Sequence, residues 1–249
     1  QNSILSKYKL LKKPVVNIWA GLLAEKFKDK YPGFKFPERK FKFISTIDVD
    51  NAWAYKNKGF WRTSGALVKS ILKGNIAESK ARWKATLRSG QDPYDTYEYM
   101  DSVFKGNEDK VKFFFLLGDY SHYDKNISYK NKQYRKLIQK TKEKYDVDIH
   151  PSSATSKKGG KKKLKIEKKR LEQIIGNEVT ISRQHFLMLK FPKTYNRLIK
   201  ANISEDYTLG YSSKPGFRGG ICTPYLYYDL KHETTTNHLI VPFQVMDGT

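Results

Sequence analysis

Apolar and polar runs alternate along the chain in an order that predicts strands, each followed by a polar strand end and then a helix. The run Lys112–Gly118 is typical of a parallel strand buried on both faces. Shorter runs at Phe43–Ile47 and Tyr145–Ile149 fit the same order. Weaker strand patterns occupy Glu178–Ser182, Asn202–Thr208 and His238–Val245, and Pro242 predicts that the last strand is an edge or irregular one. The repetition predicts a parallel α/β array rather than a sandwich.

Helical spacing of apolar residues fills the intervals between these strands. The predicted helices cover residues 14–30, a segment through Leu67–Leu72, and residues 97–104, 132–144, 164–175 and 187–199. Residues 152–163 are predicted to form a flexible basic loop. We expect an N-terminal helical segment, residues 1–37, that ends a preceding region of a longer protein, and one main domain, residues 38–249, cut short at its C-terminus.

The composition is that of a globular protein, with 39% hydrophobic residues, but the net charge of +23 is extreme. This charge indicates attraction to polyanions, or only the lysine usage of an AT-rich genome. Nine basic residues against one acid, Glu167, make Lys157–Arg170 either a solvated face or a binding surface for an anionic polymer. No segment is apolar over the ~20 residues that span a bilayer. The single cysteine, Cys222, favours a reducing compartment, and both cytoplasm and bacterial cell envelope stay open.

Polar residues gather at the predicted strand ends. Asp48 and Asp50 follow the first strand and alternate so that both point the same way. Further candidates stand at later strand ends: Asp119, His122, His150, Arg183, His185, Asp206, Arg218 and Asp247. Carboxylates and imidazoles together can bind a cation such as zinc and activate water on it.

Taken in order, these residues resemble the motifs of the polysaccharide deacetylase family. Thr46–Asp50 resembles its first motif with one residue between the two acids, and His150 is similar to the first histidine of its His-x-x-x-His motif. Phe217 and Arg218, followed by two glycines, resemble its arginine motif. Together with Ser182–Phe186 and Pro242–Asp247, the chain resembles a divergent group of these proteins from Bacteroidetes. The resemblance implies an irregular, incompletely closed (β/α) barrel.

The resemblance also implies roles. Asp48 would be the general base, Asp50 and His150 would bind a divalent metal, with zinc expected, and Arg218 would orient the base. The second histidine of the motif falls on Ala154, which cannot ligate. The family's late general-acid histidine has no counterpart, since His238 stands at the start of the last predicted strand and should lie at the opposite end of the sheet.

Other candidates fill the gaps that these departures leave. His185 is the expected third metal ligand, and His122 is an alternative to it for completing the coordination or donating the proton. Asp247 is expected to be a third catalytic residue. Expected substrate-binding residues are Trp53, Asp119, His122, Arg183 and Asp206.

The resemblance thus implies a hydrolase of carbon–nitrogen amide bonds that deacetylates an N-acetylated polysaccharide or glycan precursor. A glycan-binding barrel without catalysis is the alternative. A nucleic-acid-binding protein, suggested by the charge and by aromatics such as Trp61, is the third reading. The spread of lysines through the chain and the lack of a binding motif argue against nucleic acid.

Overall fold

The computed structural model describes residues 3–38, 40–57 and 92–247. The predicted helix through Leu67–Leu72 and the candidate Trp61 lie outside the described residues. Six described α-helices are α1 Ile4–Lys7, α2 Val15–Lys30, α3 Tyr97–Val103, α4 Lys132–Lys142, α5 Gly160–Ile175 and α6 Lys193–Ile199. Seven described strands are β1 Ser45–Val49, β2 Val111–Phe115, β3 Asp146–Ile149, β4 Ile181–Ser182, β5 Glu205–Asp206, β6 Tyr225–Asp229 and β7 Thr234–Ile240.

These strands form a mostly parallel, open sheet, as expected for an irregular, incompletely closed (β/α) barrel. The chain divides into two compact units, residues 44–179 and residues 1–43 with 180–249.

In the unit of residues 44–179, β1 and β3 pair in parallel with the two sides of β2. The apolar run that predicted β2 is its core: Phe113, Phe114 and Phe115 are almost completely buried, and Leu116 and Leu117 continue the buried run beyond the strand. The crossover helices of a parallel sheet cover both of its faces, which is why the run does not alternate with polar residues.

The helices of this unit begin and end at residues suited to those positions. The Oδ1 atom of Asn131 accepts hydrogen bonds from the backbone N–H groups of Gln133 and Tyr134, so that α4 has an N-cap. Helix α5 ends at Gly176, whose φ of 74° lies in the left-handed region that glycine adopts readily. Helix α5 also begins earlier than predicted, at Gly160, so the expected basic loop supplies its first turn.

In the other unit, β4, β5 and β7 are parallel, and β6 runs antiparallel to β7. The N-terminal segment contacts the loop that carries Arg218: the Phe217 N–H donates to Leu11 O, and the Val16 N–H donates to Gly220 O. The predicted boundary near residue 37 stays a prediction.

The position of the last strand differs from the prediction. Strand β7 ends at Ile240, before Pro242, and it lies between β5 and β6, so the edge position is wrong. Its pairing with β6 does contain a register shift between Leu226 and Tyr228. His238 lies within β7 and is buried, rather than standing at the start of the strand. Thr234–Thr236 are β-branched residues suited to a strand. They carry no hydrophobic signal, so the predicted strand begins later than β7 does.

Candidate functional site

Asp50 and His150 are brought together by strand register. Val49 of β1 pairs with Phe115 of β2, and Phe115 pairs with Ile149 of β3, so the residues that follow β1 and β3 start from one level of the sheet. The Nε2 atom of His150 lies 3.1 Å from Asp50 Oδ1. The imidazole is buried, whereas just over half of the Asp50 side chain is exposed. A metal ion or substrate that arrives from solvent can therefore reach the Asp50 carboxylate beside the buried imidazole.

The other two candidates near β1 lie on either side of Asp50. Asp48 is exposed within β1, and Trp53 is buried. The backbone after Trp53 is fixed by Asp92, which sequence reasoning did not select: its carboxylate accepts hydrogen bonds from the N–H groups of residues 54, 55 and 56. Burial opposes ionisation of Asp92, but these backbone hydrogen bonds lower its pKa overall.

Two buried carboxylates hold the backbone that follows His150, and sequence reasoning missed both. Glu167 of α5 accepts hydrogen bonds from the N–H and the hydroxyl of Ser152. Asp124 accepts hydrogen bonds from the N–H and the hydroxyl of Ser153, at 2.8 Å and 2.7 Å. Gly118 leaves the room this arrangement needs, since a Cβ there would lie 2.5 Å from Ser152 Cβ.

Burial raises the pKa of Glu167 to about 7. The sequence signal for its burial was its spacing from Leu164, Leu171 and Ile174, which places these residues on one face of α5. The lysine-rich neighbourhood had suggested a solvated helix instead. The Glu167 carboxyl group therefore binds its proton more tightly than a carboxyl group in water does.

The loop after β2 places its two candidates at the surface. Asp119 accepts hydrogen bonds from Lys163 and from Arg170, both 2.7 Å long, and these hydrogen bonds lower the pKa of Asp119. His122 is exposed, with its ring edge against Tyr123. Asp119 therefore ties its loop to α5, while the His122 ring meets solvent.

In the unit containing residues 180–249, Arg183 and His185 follow β4, and both are buried. Arg183 donates from Nε to Tyr207 O at 3.0 Å, and its guanidinium lies 4.7 Å from the centroid of the Phe243 ring. His185 stacks on Phe186, with ring centroids 4.0 Å apart. Packing and hydrogen bonding thus position both side chains.

Asp206 is completely buried in β5. It accepts hydrogen bonds from the Ser182 hydroxyl and from the hydroxyl and N–H of Thr208. Burial raises the pKa of Asp206, while the Thr208 hydrogen bond and the charge of His238 act in the opposite direction. The predicted substrate-binding residue is thus enclosed among neighbours of its own unit.

The last two catalytic candidates lie on loops of this unit. Arg218 is half-buried and donates from one guanidinium N–H to Gly210 O at 3.1 Å. Asp247 is exposed near the C-terminal end. The loop of Arg218 closely approaches the N-terminal segment, since a Cβ on Gly216 (φ 149°) would lie 2.5 Å from Leu11 O.

In the unit of residues 44–179, Asp50 and His150 supply a carboxylate and an imidazole that lie side by side, and in the other unit His185 supplies a second imidazole. One carboxylate oxygen and two imidazole nitrogens are donors that suit zinc, and a set of three protein ligands is typical of catalytic zinc sites. Ala154 lies in the short 3₁₀ helix Ser153–Ser156, so the position of the motif's second histidine carries no donor. The donor set fits a divalent transition metal, and it does not identify which one.

Seven chains of solved structures are similar to this chain in fold. One is a protein from Mycobacterium smegmatis that is assigned as a polysaccharide deacetylase. It matches at 13% identity with a TM-score of 0.50, and 85% of this chain is aligned. The alignment spans 62% of that protein's length. A Puue allantoinase matches at 11% identity with a TM-score of 0.44, over 84% of this chain and 64% of the other. A polysaccharide deacetylase from Bacillus cereus matches at 15% identity with a TM-score of 0.35, over 62% of this chain and 74% of the other.

No family model and no curated protein sequence matches the chain. The class that fold and comparisons define is therefore an α/β protein with an irregular, open (β/α) barrel of the polysaccharide deacetylase type, as predicted. Within the described residues, no helix is both long and apolar enough to span a membrane.

Proposed function

We propose that the protein is a metal-dependent hydrolase that removes N-acetyl groups from an amino-sugar glycan, as a divergent deacetylase of the type found in Bacteroidetes. The observation that carries the proposal is the 3.1 Å approach of Asp50 Oδ1 to His150 Nε2 at the ends of parallel strands. Ligands in α/β folds bind at the carboxyl ends of such strands, where loops supply the chemistry. The fold similarity to the Mycobacterium smegmatis protein supports the same conclusion.

The proposed metal ligands are Asp50, His150 and His185, with zinc as the expected metal. A bound divalent cation would activate water and polarise the amide carbonyl. His150 suits this role because its ring is buried and its backbone N–H donates to Phe115 O at 3.0 Å, which fixes the start of its loop. Fixed ligands lower the cost of assembling a metal site.

Asp48 is the proposed general base. It is exposed and lies two residues before Asp50, so an attacking water from solvent can reach its carboxylate. Arg218 and Asp247 are the further proposed catalytic residues, and the proposed role of Arg218 is to orient the base. The proposed substrate contacts are Trp53, Asp119, His122, Arg183 and Asp206. Of these, Asp119 and His122 are exposed, whereas Asp206 is completely buried and would act through its neighbours.

A basic surface on α5 supports an anionic glycan as the polymer. Lys161, Lys162, Lys165 and Lys169 are exposed around Ile166. No carboxylate of residues 3–38, 40–57 or 92–247 forms an ion pair with these four ammonium groups, and Glu167 is buried rather than balancing their charge. We define these four lysines as the α5 lysine surface. Unpaired charges of one sign attract a polymer of the other.

A glycan-binding barrel without catalysis is the second candidate, and Ala154 favours it because it removes one expected ligand. Incubation of the purified protein with N-acetylglucosamine oligomers separates the two functions. Release of acetate that requires a divalent metal supports the hydrolase. Saturable binding of the oligomers with no acetate release, after addition of zinc, would support the binding protein instead.

A further inference from the structure

Phe186 has a backbone conformation that aromatic residues rarely adopt. Its φ of 56° and ψ of 20° lie in the left-handed region, and the next residue, Leu187, has a φ of 50°. In this region the Cβ atom crowds the backbone, so a bulky residue is strained there. Such conformations persist where the surrounding structure holds them, and they occur preferentially at functional sites.

The strained backbone presents the Phe186 ring at the surface. The side chain is 61% exposed, although a large apolar ring is normally buried. Its ring lies nearly parallel to that of His185, with an interplanar angle of 24°, and His185 itself is buried. A flat apolar surface therefore stands directly beside a proposed metal ligand.

We propose that Phe186 forms a binding subsite for a pyranose ring of the glycan, and the proposal rests on the proposed deacetylase function. A pyranose has an apolar face of C–H groups that can pack on an aromatic ring and remove its apolar surface from water. The stack of Phe186 on His185 would then place the bound sugar next to the metal ligand. Phe186 thereby selects a ring-shaped substrate over a small acyclic amide.

The competing role for Phe186 is purely structural, as a cover that keeps His185 in place. The two roles differ in what loss of the ring changes. A cover would affect metal content and turnover, whereas a subsite would affect substrate affinity and leave the metal in place. The split between KM and kcat therefore distinguishes them.

The test compares Phe186→Ala, Phe186→Tyr and the wild type on the N-acetylglucosamine tetramer, with zinc content measured in each protein. Phe191→Ala is the matched control, because Phe191 is similarly exposed, at 57%, and its ring packs on Tyr195 of α6. We expect Phe186→Ala to raise KM about 10-fold, with kcat within a factor of three and full zinc content. Phe186→Tyr, which keeps the ring, and Phe191→Ala should resemble the wild type.

An unchanged KM in Phe186→Ala, or a loss of zinc together with kcat, would overturn the subsite. Failure of the proposed function gives a different result, namely no acetate release by the wild type. In that case calorimetric titration with the same tetramer still tests the subsite. Binding by the wild type that weakens about 10-fold in Phe186→Ala supports it, and absence of binding by the wild type overturns it.

Discussion

His150 Nε2 and Asp50 Oδ1 lie 3.1 Å apart, although their residues follow strands that are separated by β2. The contact depends on the order β1, β2, β3 and on parallel register, because a slip of one residue would turn either side chain to the other face of the sheet. Both groups can give a lone pair to one cation. This relationship underlies the proposed metal site.

Asp48→Asn should reduce kcat roughly 100- to 10,000-fold, since the amide cannot accept the proton from the attacking water. Asp48 is exposed, so the thermal midpoint of unfolding and the zinc content should match those of the wild type. Asp146→Asn, at the opposite end of β3, is the control and should keep its activity. Acetate release measures both variants, and retained turnover in Asp48→Asn would refute its role as base.

Glu167 should make stability depend on pH. Its pKa in the folded protein is raised to about 7 from an ordinary value of 4.5, so the folded state binds the proton more tightly than the unfolded state. The stabilisation is present below about pH 4.5 and is lost as the pH rises through about 7, a total of roughly 3 kcal/mol. Urea unfolding at pH 5 and about pH 8 measures it.

Glu167→Gln keeps an acceptor for Ser152 but cannot ionise. The free energy of unfolding of this variant should fall less between the two pH values than that of the wild type, and all other titrating groups are common to both proteins. The same pH dependence in the two proteins would contradict the raised pKa.

Gly118→Ala should lower the free energy of unfolding by about 1–3 kcal/mol, because the new methyl group overlaps Ser152 Cβ. The matched control is Gly33→Ala, since a Cβ at Gly33 meets nothing within 4 Å. Chemical denaturation compares the two variants. Equal stability of both would show that the backbone after His150 moves aside easily and is not held by Glu167 and Asp124.

The α5 lysine surface should bind anionic glycan in a salt-dependent way. Replacement of Lys161, Lys165 and Lys169 by Gln should weaken binding of hyaluronan and reduce its dependence on ionic strength. Lys132, Lys136 and Lys140 of α4 have the same spacing and are also exposed, so their replacement is the control. Equal weakening by both sets would indicate that only the net charge matters.

The sequence predicts the parts of the fold where one signal dominates. The apolar run of β2 could be predicted because burial on both faces demands it, and His150 because it follows the predicted strand of β3 directly. The strand before Asp50 was predicted at Phe43–Ile47, whereas β1 covers Ser45–Val49 and includes Asp48. The predicted last strand begins and ends later than β7. The exposed threonines of β7 carry no hydrophobic signal, and the apolar run that was predicted as a strand continues beyond β7 and includes Pro242. Local patterns therefore indicate that a strand is present more reliably than they indicate its first and last residues.

The hydrogen-bond partners of the buried carboxylates could not be predicted from local patterns. Glu167 lies among lysines, and its burial follows from packing of α5 and from its hydrogen bonds to Ser152, a residue 15 positions earlier. Asp124 is similar, since its partner Ser153 is 29 positions later. The strain at Phe186 is likewise invisible in sequence, because an aromatic residue gives no signal for a left-handed backbone.

Metal content tests the central claim most directly. Asp50→Ala and Asp146→Ala change carboxylates of nearly equal exposure, 55% and 54%, but only Asp50 is a proposed ligand, since Asp146 pairs with Lys112. After incubation with zinc and removal of the free ion, mass spectrometry should find about one zinc per chain in the wild type and in Asp146→Ala, and far less in Asp50→Ala. A wild type that binds no metal, or an Asp50→Ala variant that binds as much as the wild type, would contradict the proposed site.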